Sequence, residues 1–227
     1  MNQPVPTADE QTRAAAVHRT LMEVYGWPEW REPLPALDEL VSTILSQNTN
    51  DKNRDVAFYA LKARFSSWEE VRDAAPQAVI ETIRPAGLAN QKGPRIQEVL
   101  QQITAERDSL DLSFLRDWPA AQARAWLTRF KGVGLKTAAI VMQFSLNIPA
   151  FPVDTHIYRV SGRIGLRPEK MTVDQAHEYL AQLFPPEEYG PAHLNLIRLG
   201  REICHARKPD CPACPVSAWC LYVQKSQ

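Results

Sequence analysis

Lys131-Gly132-Val133-Gly134-Leu135-Lys136-Thr137-Ala138-Ala139-Ile140-Val141 is the stretch on which the reading of this chain turns. Before it, Ala120–Phe130 is alanine-rich with Trp126, Leu127 and Phe130 on one side, the spacing of a helix. After it, Thr137–Phe144 reads as a second, mostly apolar helix. Gly132 and Gly134 permit a tight turn and bring bare backbone N–H groups to the surface, and such groups at a helix start make a seat for phosphate. Helix, glycine hairpin, helix is thus a candidate clamp on a nucleic-acid backbone, although many helix pairs are joined through glycine for packing alone. Lys136 falls in the first turn of the second helix, where a cation opposes the helix dipole at a cost of about 0.3–1 kcal/mol. The same dipole favours the neutral amine, which is the nucleophilic form; a stem that merely reaches solvent is the plain alternative.

Outward from the hairpin the chain reads as helix throughout. Residues 11–24 carry a stripe of Ala14, Val17, Leu21 and Val24. Leu37–Leu45 follows a run broken by Gly26, Pro28, Pro33 and Pro35, and Val56, Tyr59, Ala60 and Ala63 continue the pattern to Phe65. Ser67 with Glu70 predicts a capping box. Pro76 opens a further segment, and Pro94 is placed in the first turn of a helix through Ile96, Val99, Leu100 and Ile103. Only runs such as Phe151–Val153 suit an extended backbone, no alternation suggests a sheet, and the polar N-terminal decapeptide is expected to be flexible. The fold class read from these patterns is all-α.

With 227 residues, 44% hydrophobic and 23% charged, the chain has the composition of a soluble globular protein. No run is apolar and long enough for a membrane span, and Met1–Glu10 has no apolar stretch behind basic residues, so a cytoplasmic setting is expected. Net charge is +0, yet it is unevenly spread: residues 1–125 carry net −4, 126–167 net +5, 168–189 net −4 and 190–227 net +3. Two basic islands in a neutral chain suit a local polyanion-facing surface, against the plainer reading of solvated charge.

Cys204, Cys211, Cys214 and Cys220 are the only cysteines, spaced C-x6-C-x2-C-x5-C and stiffened by Pro209, Pro212 and Pro215. A single zinc ion is usually gripped by two short knuckles, and only Cys211 and Cys214 are that close; an iron–sulfur cluster, zinc and disulfides all remain open on spacing. In Phe151-Pro152-Val153-Asp154-Thr155-His156-Ile157-Tyr158-Arg159-Val160 one acid sits amid apolar residues. Asp154 suits a helix N-cap or a carboxylate stabilising a cationic transition state beside an amine, and His156 suits a structural or a catalytic role.

Taken together, the Gly-Val-Gly-x-Lys-Thr-Ala hairpin, the Val-Asp-Thr-His-Ile-x-Arg-Val segment and the cysteine loop resemble the endonuclease III family of the helix–hairpin–helix glycosylase superfamily. The resemblance runs from about Leu37 to Tyr222. It implies two helical domains flanking a DNA-binding cleft: a six-helix barrel with the helix–hairpin–helix over residues 29–147, and an iron–sulfur cluster domain formed by residues 1–28 and 148–227. It implies a bifunctional DNA glycosylase and apurinic/apyrimidinic lyase of base excision repair, a hydrolase and lyase removing oxidised pyrimidines from duplex DNA, acting as a monomer near the nucleoid. Lys136 would be the Schiff-base nucleophile, Asp154 its acid partner, and Cys204, Cys211, Cys214 and Cys220 the ligands of a 4Fe–4S cluster. Gln47 would fill the gap left by a flipped base, and Leu88 would wedge the opposite strand. Lys131, Gly132, Val133, Gly134, Arg207 and Lys208 would face DNA phosphates. Lys131 and Leu199 depart from the family pattern, where proline and histidine are common. The alternatives are a monofunctional mismatch glycosylase on the same scaffold, a non-catalytic iron–sulfur DNA-binding protein and a zinc-stabilised interaction module.

Overall fold

The structure, a computed structural model, describes residues 4–28 and 32–225. Among these residues there is helix and no strand, and Phe151–Val153 is buried irregular chain instead. The chain separates into two compact units, one formed by Met1–Glu32 with Pro149–Gln227 and the other by Pro33–Ile148. Relative to the expected boundaries, Glu32 goes with the terminal unit and Ile148 with the central one; residues 29–31, where the expected barrel begins, lie outside the described residues. No described helix is long and apolar enough to cross a membrane.

The central unit contains α2 (Ala36–Ser46), α3 (Asp51–Arg64), α4 (Trp68–Asp73), α5 (Pro76–Thr82), α6 (Ala89–Arg107), α7 (Ala120–Thr128) and α8 (Leu135–Ser145). Its apolar centre is α2, where Leu40, Ile44 and Leu45 are fully buried and the helix packs against α3 and α8. Each such side chain contributes about 1.5–3 kcal/mol on leaving water. Helix α3 corrects the expected stripe: Ala57, Phe58 and Leu61 face inward, while Val56 and Tyr59 lie exposed. Apolar residues on both sides of this helix made either face a plausible core, and packing against α2 and α5 decides it.

Two local expectations also change. Ser67 Oγ accepts from Glu70 N–H at 3.2 Å, but the Glu70 carboxylate turns to Ser66 N–H at 2.8 Å, so only half of the capping box forms. Pro94 lies inside α6 rather than in its first turn, because the helix starts a turn early, at Ala89, behind a left-handed Leu88.

The terminal unit is built from α1 (Ala8–Tyr25), α9 (Thr155–Ile164), α10 (Val173–Ala181), α11 (Tyr189–Glu202) and the short α12 (Leu221–Gln224). Thr7 and Glu10 close a complete capping box at the start of α1, so the expected flexible decapeptide is ordered from Thr7 onward; its first three residues lie outside the described chain. Ala14, Val17 and Leu21 place one face of α1 in a core with Ile157 and Val160 of α9 and Leu196 and Leu199 of α11. Val24, counted in that stripe from the sequence, is exposed. Phe151 stacks on Phe184 at 5.4 Å, which gives the irregular segment before α9 its buried anchor.

Candidate functional site

In the hairpin between α7 and α8 the backbone of Gly132 has φ +85°, a left-handed conformation that disfavours any residue with a Cβ. A methyl there would also overlap the Arg95 side chain of α6. Gly134 differs: φ is −89°, no neighbour lies within 4 Å of where a Cβ would be, and it caps α8 with no side-chain hydrogen bond. The protein's own packing therefore asks nothing of Gly134, whose bare backbone opens the first turn of α8 to the outside. Val133 lies differently from its expected place on the DNA side. Its side chain is 3% exposed and its N–H donates to the Phe130 carbonyl at 3.0 Å, so it serves the turn's interior. Lys131 is exposed.

Lys136 is the second residue of α8, half-buried, with no hydrogen bond or ion pair among the described residues. A cation here faces the unfavourable end of the helix dipole, and no carboxylate pairs with it among the described residues.

The C-terminal end of α2 lies against this hairpin. Gln47 donates from Nε2 to the Gly132 carbonyl at 2.8 Å and accepts at Oε1 from Arg95 at 3.1 Å. Both ends of its amide are thus engaged, and Gln47 braces the turn it stands beside. Leu88 is 48% exposed and holds φ +49°, preceded by Gly87 at +65°. An exposed leucine in the left-handed region gains little from burial and carries about 1–2 kcal/mol of backbone strain, so its neighbours must impose the turn.

Sequence reasoning missed the group that does so. Lys92 of α6 is 1% exposed. Its Nζ donates to the Leu45 carbonyl at 2.7 Å, to Thr49 Oγ1 at 2.7 Å and to the Ala86 carbonyl at 2.8 Å. Burial, followed by the nearby Arg95 charge, pushes the Lys92 ammonium down to about 8. A lone lysine in an amphipathic helix gives no sign of this in the sequence; the only hint is its place four residues after Leu88.

In the terminal unit Asp154 is the N-cap of α9, its Oδ1 accepting from Ile157 N–H at 2.8 Å. No second hydrogen bond to its carboxylate is formed among the described residues. The His156 ring meets Arg159 at 3.1 Å through Nδ1, and Arg159 goes on to donate to the carbonyls of Gly200 at 2.9 Å and Cys204 at 3.0 Å. His156 belongs to a brace between α9 and the cysteine loop. Leu199, where the family pattern often has histidine, is buried in the core of this unit.

No three His, Cys, Asp or Glu side chains among the described residues gather tightly enough for a single metal ion. The four cysteines are free and all line one small, largely apolar hollow, walled by Ile164, Leu199 and Ile203. In a tetrahedral single-ion site, metal–sulfur bonds of about 2.3 Å would draw the sulfurs into mutual contact. Four thiols set apart around a cavity fit a larger body. Burial pushes the Cys211 and Cys214 thiols up, and the neighbouring cysteines add to it; a cationic centre among the four sulfurs would favour their thiolate forms. Arg163, also missed from the sequence, clasps this loop by donating to His205 O at 2.6 Å, Ala206 O at 2.9 Å and Cys204 Sγ at 3.4 Å. Arg207 and Lys208 stand exposed beyond it, Lys208 with φ +52°.

With this geometry in view, residues 41–186 match the family described as HhH-GPD superfamily base excision DNA repair protein. An endonuclease III of Sulfolobus acidocaldarius is 34% identical over 81% of this chain and 80% of its own length. An Arabidopsis thaliana chain provisionally named a DNA glycosylase is 36% identical over 66% of this chain, which spans only 52% of that relative. Among solved structures, a non-covalent endonuclease III–DNA complex superposes with a TM-score of 0.82 at 24% identity, covering 95% of this chain and 97% of that one.

Proposed function

Because this chain belongs to the HhH-GPD superfamily of base excision DNA repair proteins, and within it to the endonuclease III family, we propose that it removes oxidised pyrimidines from duplex DNA and nicks the strand at the resulting abasic site. The observation that carries this reading is Lys136, an amine with no partner among the described residues, on the first turn of the helix that follows the glycine hairpin. A monofunctional glycosylase needs only an activated water there; a lyase needs an amine.

The chemistry assigned to the residues is as follows. The damaged nucleotide leaves the stack, at a cost of a few kcal/mol in lost stacking and pairing. Leu88 and the Gln47 segment hold the opened duplex, while Gly132, Gly134, Lys131, Arg207 and Lys208 bear on phosphates. The Lys136 lone pair attacks C1′ of the deoxyribose, and the base departs with the glycosidic electron pair and takes up a proton. The sugar-bound amine gives up a proton and its lone pair expels O4′, which takes up a proton as the C1′–O4′ ring bond breaks, leaving an open-chain protonated imine. Loss of a C2′ proton then expels the 3′ phosphate, breaking the C3′–O bond. Asp154 stabilises the positive charge that develops at the sugar and moves protons; one of its oxygens is committed to capping α9, and the other supports this role. Cys204, Cys211, Cys214 and Cys220 would hold a 4Fe–4S cluster, which when bound fixes the loop that presents Arg207 and Lys208. The protein acts as a monomer on DNA, in a cytoplasmic, nucleoid-associated setting.

Borohydride trapping tests the reading. The unaltered protein should become covalently linked to a thymine-glycol or abasic duplex, and Lys136→Ala should not. Undiminished trapping by Lys136→Ala would refute the assignment of the nucleophile. Base release from a G·T duplex without trapping or nicking would instead favour a monofunctional mismatch glycosylase, and salt-sensitive binding with no product a non-catalytic protein.

A further inference from the structure

We propose that Lys92 is a positioning residue for duplex opening: its ammonium ties the turn that carries Leu88 to the end of α2 that carries Gln47, so that the two bear on the DNA as one rigid piece. The proposal rests on the functional reading above, in which those two side chains enter the opened duplex.

The geometry is that of a three-point clamp. An ammonium has three hydrogens and no acceptor, and Lys92 meets three oxygens at 2.7–2.8 Å. Two belong to the α2 side, Leu45 O and Thr49 Oγ1, which flank Gln47 by two residues on either hand. The third, Ala86 O, lies two residues before Leu88. Thr49 Oγ1 reinforces the bridge by donating its one hydrogen to Ala86 O, with Gln47 O as the alternative acceptor. Lys92 itself lies in the first turn of α6, directly behind the wedge, its N–H donating to the Leu88 carbonyl at 2.9 Å. Among the described residues Lys92 forms no ion pair with a carboxylate, and carbonyl and hydroxyl dipoles hold its charge.

Both segments that it joins are conformationally costly. Asn48, Gly87 and Leu88 all have positive φ, at +53°, +65° and +49°. Asn48 and Leu88 are exposed, so neither is held in place by burial. Left alone, an apolar side chain on a strained surface turn would relax away from its projecting pose, and DNA would have to order it during binding. A clamp made on folding removes that ordering step, the same gain that preorganisation gives any binding surface. A methionine of similar length would fill the same tunnel without the cost of burying charge, so packing alone does not account for a lysine here.

The test compares Lys92→Met with the unaltered holoprotein on two abasic substrates, one fully paired and one with the abasic site inside a bubble of unpaired bases. Lys92→Met should lose about tenfold or more in kcat/KM on the paired duplex and stay within about threefold on the bubble, where no wedge is needed. A 2-aminopurine placed opposite the abasic site should brighten on binding the unaltered protein and stay dim with Lys92→Met at saturating protein. Equal losses on both substrates would show that Lys92 only supports the fold and would overturn the proposal, as would full activity on the paired duplex. Should Lys92→Met fail to fold, Thr49→Val removes one leg of the clamp at nearly constant volume, and the same preferential loss on paired DNA is expected. Absence of cleavage and trapping by the unaltered protein on either substrate would refute the functional reading itself; the 2-aminopurine signal would still report on the wedge.

Discussion

Replacing Gly132 and Gly134 one at a time by alanine separates what the hairpin does for the fold from what it does for DNA. At Gly132 the backbone has φ +85°, and an L-residue there costs about 1–2 kcal/mol. The new methyl also occupies the space of the Arg95 side chain, whose displacement breaks its 3.1 Å hydrogen bond to Gln47, worth about 1 kcal/mol. Gly132→Ala should therefore lose about 2–3 kcal/mol of stability. For a chain of this size that corresponds to a fall in Tm of about 5–10 °C. At Gly134 φ is −89° and a Cβ meets nothing, so Gly134→Ala should cost only about 0.5–1 kcal/mol, the difference between glycine and alanine at an N-cap. The same methyl would stand over the backbone N–H groups that open α8, where a phosphate must come close, and duplex affinity should fall by about tenfold. Thermal melting of both variants, with fluorescence anisotropy on an abasic duplex at fixed salt, reads both effects. The reasoning fails if Gly134→Ala melts as low as Gly132→Ala, or if Gly132→Ala melts within about 2 °C of the unaltered protein.

Other outcomes follow from single sites. Asp154→Asn keeps an N-cap for α9 and should leave Tm nearly unchanged while lowering kcat far more than DNA affinity; the reverse pattern would count against a catalytic role. Cys211→Ser, or removal of iron by oxidation and chelation, should abolish a broad visible absorption band and loosen the loop clasped by Arg163, seen as faster proteolysis near His205; a colourless protein loaded with zinc would speak against a cluster. Burial raises the Glu10 carboxyl, but hydrogen bonds from Thr7 N–H, Tyr179 OH and Thr7 OH, with Arg13 nearby, outweigh it and hold the group below its ordinary 4.5. Its stabilising effect is thus present above that value and lost as pH falls through the depressed folded value, so Glu10→Gln should be less stable than the unaltered protein in urea at pH near 7, and the gap should close in strong acid.

The sequence by itself determined that the chain is helical, where most helices lie, and which residues are candidates for chemistry. Apolar periodicity, proline and glycine breaks and the spacing of four cysteines are local properties, and local properties survive in a string of letters. Even so, the inner face of α3 was misread, because Val56 and Tyr59 offer as apolar a stripe as Ala57, Phe58 and Leu61, and only the partner helices choose between them. Gln47, Leu88 and Lys136 were legible through their motifs, but how the first two are held was not. Lys92 reaches Leu45 and Thr49 across more than forty residues, and Arg163 reaches His205 and Ala206 by about as many. Hydrogen bonds between residues so far apart in sequence exist only once the helices are packed. Tertiary structure alone decided that a buried ammonium, and not the turn's own sequence, holds an exposed leucine in a strained pose.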